Sequence, residues 1–342
     1  MLRLSIIVPF FNAESYIERC LYSLINQNLD SDDYEIICIN DGSKDQGRNK
    51  VIEIQKYVNI IRLIDQENSG VSVARNTGIN AAKGNYLMMV DADDYLHENV
   101  LPERLHFAER NDLQIAYSGL IILNEKMETV SRQNHLPDKE EILTGIDFFE
   151  KHLKGRSEIQ APHSSVAILI KTEFLNFHGL RYLPGVPFLE DGEFMARVIC
   201  MATRAISFSE PIYYRTTTPG SATQSRLYYS DIAKSGFIKS AKNLSEFRDQ
   251  YCQNQIQKIF LNQYILHFAV LYITSHSLRD YIINYGKMKR QIHEGNLQKI
   301  ELKGCSSQYK EIGTYYNHSI HCIYIFWIIN KIRKYLAINK AN

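Results

Sequence analysis

The sequence carries no surplus of charge: among 342 residues, 39 Lys and Arg stand against 38 Asp and Glu, a net charge of +1. A nucleic-acid partner held by bulk charge is therefore not expected. Paired cysteines are missing too. Cys20, Cys38, Cys200, Cys252, Cys305 and Cys322 are scattered, mostly in apolar stretches, without a C-x-x-C. That pattern argues against zinc fingers and redox couples, and the six read as buried free thiols of a reducing compartment. No H-x-x-x-H with a neighbouring glutamate occurs among the 11 histidines, so no zinc is assigned. Internal repeats and low-complexity tracts are absent. Long hydrophobic runs are lacking as well. Leu4–Val8 is too short for a signal core and Pro9 ends it. The ten residues 320–329 fall short of the ~20 that a bilayer span needs. The chain is expected to stay in the cytoplasm.

What remains is an ordinary globular composition, 45% apolar and 23% charged, in a chain long enough for two domains. Over the first hundred residues, short β-branched runs alternate with amphipathic stretches, the pattern of βαβ units around a parallel sheet. The spacing predicts strands at Leu4–Val8, Glu35–Ile39, Ile60–Ile64 and Tyr86–Val90. It predicts helices at Ala13–Gln27 with Asn12 as cap, around Val51–Val58, and at Val73–Ala82. Leu113–Tyr117, Ser165–Ile170 and Ile206–Tyr213 read as further strands, irregularly spaced and not necessarily parallel. From about Tyr228 the pattern is helical, with a buried helix over Tyr264–Ile273 in which His267 reads as a core histidine. The breaker-rich Thr216–Gln224 separates an α/β domain, residues 1–220, from a helical region, residues 221–342.

In an open parallel sheet, ligands bind along the rim formed by the carboxyl ends of the strands. The segments that leave those ends here are Pro9-Phe-Phe-Asn12, Asn40-Asp-Gly-Ser-Lys-Asp45 and Asp91-Ala-Asp-Asp94. Asp91 and Asp93 alternate as they leave a strand, which can bring two carboxylates to one hard cation such as Mg2+ or Mn2+. Such a cation keeps positions open for phosphate oxygens. No G-x-G-x-x-G follows the first strand and no Walker A sequence occurs, so a phosphorylated ligand would depend on the cation for neutralisation. Read alone, Glu190-Asp191 could merely complement the start of the following helix, and Arg75 and Asn76 could be polar residues on an exposed helix face. Gly70 and Gly78 on either side suggest close packing that would turn Arg75 towards an anion.

Val8-Pro-Phe-Phe-Asn-Ala-Glu14, Asn40–Asp45, Asn68–Gly78, Lys83-Gly-Asn-Tyr86, Val90–Asp94 and Leu189-Glu-Asp191 resemble, in order, the motifs of family 2 glycosyltransferases with a GT-A fold. The resemblance spans residues 4–215. It implies an α/β GT-A nucleotide-sugar-binding fold, with a mostly parallel Rossmann-like sheet, followed here by the C-terminal helical region. It further implies an inverting transfer of a sugar from a nucleotide-diphosphate sugar, a UDP-sugar foremost, to a hydroxyl of a glycan or lipid-linked acceptor in surface polysaccharide synthesis. By carry-over, Asp41 holds the base, Pro9, Phe10, Asn12 and Arg75 line base and ribose, and Glu14, Ala92 and Glu190 complete the donor site. Asp91 reaches ribose or metal, Asp93 ligates Mn2+ or Mg2+, and Asp191 is the general base. Ile212–Gln224 resembles the loop that closes over the donor, with Tyr213, Tyr214 and Arg215 as contacts. Thr216–Thr218 stands where many relatives have histidine. Acceptor contacts are expected from residues 120–190 and the tail.

No acid occurs after Glu311, and the tail sets Lys331, Arg333, Lys334 and Lys340 beside Ile323, Tyr324, Phe326, Trp327 and Ile328. That composition suits either an interfacial anchor at the inner face of the plasma membrane or a packed C-terminal helix with a solvated basic end. Two rival functions remain: a nucleotidyltransferase, for which the first loop lacks a basic triphosphate grip, and a catalytically silent scaffold of a polysaccharide assembly, which has no chemical reason to retain Asp41, Asp93 and Asp191.

Overall fold

A computed structural model describes residues 2–132, 141–153, 165–217 and 230–341, apart from the side chains of 332 and 334–341. The chain divides into two compact units, one formed by Met1–Lys154 and Pro162–Ser221, the other by Gly155–Ala161 and Ala222–Asn342.

In chain order the first unit runs β1 (Leu4–Phe10), α1 (Ile17–Ile25), β2 (Tyr34–Asp41), α2 (Gly47–Gln55), β3 (Ile61–Gln66), α3 (Val71–Ala81), β4 (Tyr86–Met89), β5 (Tyr95–Leu96), α4 (Leu101–Arg110), β6 (Ile115–Tyr117), β7 (Leu120–Leu123) and β8 (Thr129–Arg132). It continues with α5 (Gly145–Phe148), β9 (Ile168–Lys171), α6 (Thr172–Phe177), α7 (Glu190–Met201), β10 (Ala205–Ser207) and β11 (Tyr213–Thr216). A seven-stranded sheet has the order β10-β6-β9-β4-β1-β2-β3. β1, β2, β3 and β4 are parallel, and β9 runs antiparallel to both β4 and β6. β1 and β2 are buried along their whole length, as strands with neighbours on both edges and helices on both faces must be. β2 lies on one side of β1 and β4 on the other, so the chain order reverses there and opens a crevice at the carboxyl ends.

Three expectations change. Asn12 does not cap α1, which starts at Ile17 behind Tyr16 with no side-chain cap; Asn12 instead sits in the left-handed region, φ 51°, which asparagine tolerates. Ile206–Tyr213 is not one strand. Pro211, which has no N–H for a ladder, lies between β10 in the large sheet and β11 in a second sheet of order β5-β11-β7-β8. The strand expected over Ser165–Ile170 begins at Ile168, as β9.

The second unit is helical: α8 (Asp231–Tyr251), α9 (Gln255–Thr274), α10 (Leu278–Glu294), α11 (Ser307–His318) and α12 (Ile320–Ala341). Ser230, Asn254 and Ser277 cap the first three through side-chain oxygens that accept from backbone amides three residues on. α9 is the buried centre, with Leu261, Ile265 and Phe268 fully enclosed, and Tyr281 of α10 stacks on Tyr324 of α12 at 3.9 Å. His267 on α9 is partly buried, its ring edge-on to the enclosed Phe268 at 5.7 Å. All six cysteines are free, and all but Cys322 are buried. No helix among the described residues is long and apolar enough to cross a membrane.

Candidate active site

The loops after β1 and β2 are stapled together. The Asn12 amide donates to Ser43 Oγ at 3.0 Å and the Lys44 amide to Asn12 Oδ1 at 2.9 Å. The Glu14 amide donates to Asp45 Oδ2 at 2.8 Å, and the Gln46 amide to Glu14 Oε2 at 2.9 Å. Asn12 and Glu14 thus shape the rim through their own side-chain oxygens. Pro9 and Phe10 are buried in the strand, and the half-exposed ring on this turn is Phe11.

Asp41, at the end of β2, is buried. Its Oδ1 accepts from Gln66 Nε2 and the Ser69 amide, its Oδ2 from the Gly70 amide, all within 2.9 Å. The carboxylate therefore fixes the entry to α3, where Gly70 has φ 86°. Gly70 serves that turn and not packing, since nothing lies within 4 Å of where its Cβ would be. Gly78 is the close approach: a Cβ there would meet Ile7 Cγ2 at 2.3 Å.

Asp91-Ala-Asp-Asp94 spans the gap between β4 of the large sheet and β5 of the small one. Asp94 is the rivet. It is 2% exposed and accepts from the Tyr213 hydroxyl at 2.8 Å and the Thr216 amide at 2.7 Å. The same hydroxyl accepts from the Asp91 amide, and Thr216 Oγ1 and the Arg19 guanidinium donate to the Asp93 carbonyl. Burial, then the charges of Asp91 and Asp93, push the Asp94 carboxyl well above the usual carboxylate range. Tyr213 is thus a structural group and Tyr214 stacks on Tyr95 at 4.7 Å, while residues 218–224 of the expected closing loop lie outside the described residues.

Arg75 gathers the remaining acids. It is 3% exposed, not on a solvent face, because its partners arrive from α7 and from the acidic turn. Its Nη1 donates to Glu190 at 2.9 Å and to Asp191 at 2.8 Å, and its Nη2 to Asp91 at 2.9 Å. The guanidinium lies over the Tyr182 ring at 5.1 Å, and that ring stacks on Phe194 at 4.0 Å. The Tyr182 hydroxyl donates to Ser165 Oγ, which donates to Asp191 Oδ1 at 2.8 Å. Asn76 grips the Tyr182 backbone through both its amide and its carbonyl. Burial first, then the neighbouring Asp191, raise the Glu190 carboxyl from 4.5 to about 7 against the opposing pull of Arg75.

One guanidinium among three carboxylates leaves an excess of negative charge beside the acidic turn, and the donors there are all oxygen. That chemistry fits a hard divalent cation, with Asp93 and Asp91 to hold it. Among the described residues no group of three or more His, Cys, Asp or Glu side chains is gathered as a metal cage, so such a cation would draw other ligands from substrate or water. Missing from the sequence reading are Asp94, Ser165 and Tyr182. Asp94 had a visible signal, a third acid at the strand exit, while Ser165 and Tyr182 carry no local signature.

Residues 5–172 match the profile of Glycosyl transferase family 2. That match takes in β1 to β9 and the strand-end turns, just under half of the chain. Its relatives include the uncharacterized glycosyltransferase EpsJ of Bacillus subtilis, 33% identical over 223 residues, 64% of this chain and 62% of EpsJ. Another is the poly(ribitol-phosphate) beta-N-acetylglucosaminyltransferase TarP of Staphylococcus aureus, 38% identical over 124 residues, 35% of this chain and 38% of TarP. The chain thus spans less than two thirds of the length of either relative. The crystal structure of S. aureus TarS 1-349 in complex with UDP-GlcNAc superposes with a TM-score of 0.70 over 94% of this chain and 90% of that one, at 17% identity. The fold is therefore the GT-A arrangement, a mostly parallel central sheet with C-terminal helices.

Proposed function

We propose that this protein is a family 2 inverting glycosyltransferase that moves a sugar from a nucleoside-diphosphate sugar to a hydroxyl of a glycan or lipid-linked acceptor in surface polysaccharide synthesis. The observation that carries this reading is the Arg75 junction, which sets an acid of the strand-end turn, Asp91, and the Glu190-Asp191 pair on one guanidinium. A donor diphosphate beside Asp91 and Asp93 would leave its sugar facing that pair. Support for a UDP-linked donor comes from TarS, crystallised with UDP-GlcNAc and with UDP.

In this reading the acceptor oxygen attacks the anomeric carbon as the bond to the diphosphate breaks, and the nucleoside diphosphate departs with the electron pair. The hydroxyl proton passes to the Asp191 carboxylate. Arg75 and Ser165 both donate to Asp191 Oδ1, which orients the carboxylate; among the described residues Oδ2 takes no hydrogen bond, and we assign it the proton. Attack opposite the leaving group inverts the centre. Bound Mn2+ or Mg2+ would supply neutralising charge for the leaving diphosphate, held by Asp93 with Asp91. The acid-free end of the chain after Glu311 favours a peripheral contact of α12 with the inner membrane face.

Release of nucleoside diphosphate from a panel of nucleotide sugars, with and without Mn2+, tests the reading. Wild type should show metal-dependent release with at least one donor. Asp191→Asn should bind that donor nearly unchanged and lose transfer. Wild-type protein that binds but never turns over favours a silent scaffold, and equal activity in Asp191→Asn removes that residue from the mechanism.

A further inference from the structure

Two donors converge on one backbone oxygen of the acidic turn. The Asp94 amide donates to the Asp91 carbonyl at 3.0 Å, which closes a tight turn with Asp93 at its third position. The Asp93 carbonyl accepts from Arg19 Nη2 of α1 at 2.5 Å and from Thr216 Oγ1 of β11 at 2.6 Å. Arg19 is itself held. Its guanidinium lies over the Tyr95 ring at 4.9 Å, and Nη1 donates to Met127 Sδ, between β7 and β8, at 3.5 Å. Arg19 Nε is buried and takes no hydrogen bond among the described residues. A surface arginine would turn that nitrogen to water, so the side chain is kept in place by its partners. Although the turn contains three carboxyl groups, Arg19 takes the carbonyl and forms no ion pair among the described residues.

We infer, resting on the metal reading proposed above, that Arg19 and Thr216 are positioning residues for the cation site. They hold the Asp93 backbone so that its carboxylate stays where Mn2+ or Mg2+ would meet it. Fixing the Asp93 carbonyl blocks rotation about the Cα–C bond of that residue, and the two donors come from α1 and β11, elements to which the turn does not belong. Removing a group that stands behind a metal ligand commonly weakens the metal 10- to 100-fold, a rough range. Charge alone predicts the reverse for Arg19. A guanidinium beside the turn repels a second cation, so its loss would tighten metal binding if repulsion were all it contributed. The sign of the change separates the two effects, and Thr216, which carries no charge, reports on position only.

Binding of Mn2+ to the full-length protein in the presence of UDP, followed by electron paramagnetic resonance of the free ion, tests this without turnover. Arg19→Met and Thr216→Val should each weaken Mn2+ about tenfold. The double variant should lose less than the product of the two, because both donors serve one oxygen. Thr216→Ser keeps the hydroxyl and should bind Mn2+ as wild type does, so the Thr216 pair of variants carries the test even if Arg19→Met fails to fold. Thermal unfolding without ligand is measured in parallel. Variants that melt lower yet bind Mn2+ like wild type have lost only stability, and that result overturns the positioning role. Tighter Mn2+ binding by Arg19→Met overturns it for Arg19, whose charge would then be what the metal feels. Wild type that binds UDP but no Mn2+ overturns the metal reading and this inference together, whereas Mn2+ binding that none of the variants changes overturns this inference alone.

Discussion

Glu190→Gln tests the electrostatics of the site. Burial and Asp191 raise this carboxyl from 4.5 to about 7. Below about pH 4.5 the group is protonated in folded and unfolded chains alike and contributes nothing to the pH dependence. Between 4.5 and 7 the folded protein retains a proton that the unfolded chain has released, so stability falls as pH rises. Above 7 the whole cost stands, up to roughly 3 kcal/mol at ~1.4 kcal/mol per pH unit. Glutamine keeps the shape without the charge. The variant should match wild type near pH 5 and exceed it by pH 8, with about 2–4 °C in Tm for each kcal/mol in a domain of this size. Thermal unfolding of both proteins at pH 5, 6, 7 and 8, without ligand, reads the difference directly. A constant offset across that range, or a variant less stable than wild type at pH 8, refutes the placement of Glu190 in a buried acidic pair. In the proposed reaction, glycosyl transfer by the variant should decline at the same time, because a site that holds an ionisable group at a cost in stability does so for chemistry.

Tyr213→Phe removes the hydroxyl shared by Asp94 and the Asp91 amide, and urea unfolding should show a loss of about 1–3 kcal/mol. Tyr182→Phe keeps the stack on Phe194 and the ring under Arg75 but frees Ser165; steady-state kinetics should show kcat lowered about tenfold with the donor KM unchanged. Asp93→Ala should abolish the thermal stabilisation that UDP and Mn2+ together give wild type, while leaving the unliganded Tm within about 2 °C.

The βαβ half of the fold was readable because its strands are uninterrupted apolar runs closed by Gly, Asn and Asp, and burial on both faces demands such runs. Local rules fail where a distant partner competes. Asn12 has the right chemistry for a helix cap, yet Ser43 and Lys44, more than thirty residues on, bind it in a loop. Arg75 has the composition of a surface residue, and its burial follows only from Glu190 and Asp191, 115 and 116 residues away. Those two acids begin α7 as a dipole argument expects, but their side chains turn inward to the guanidinium, which no spacing within the helix discloses. Ser165 and Tyr182 enter by the same route, through contacts between segments whose sequences are individually bland. The break between β10 and β11, by contrast, was written in Pro211.

The four bonds that join residues 12–14 to residues 43–46 make the two loops a single module despite their separation in sequence. Grafting one of them from a relative, to swap the nucleotide preference, would strand the amides and carboxylates of the other. Engineering at this edge therefore has to exchange both loops at once, and natural variation at Ser43 or Asp45 should travel with variation at Asn12 and Glu14.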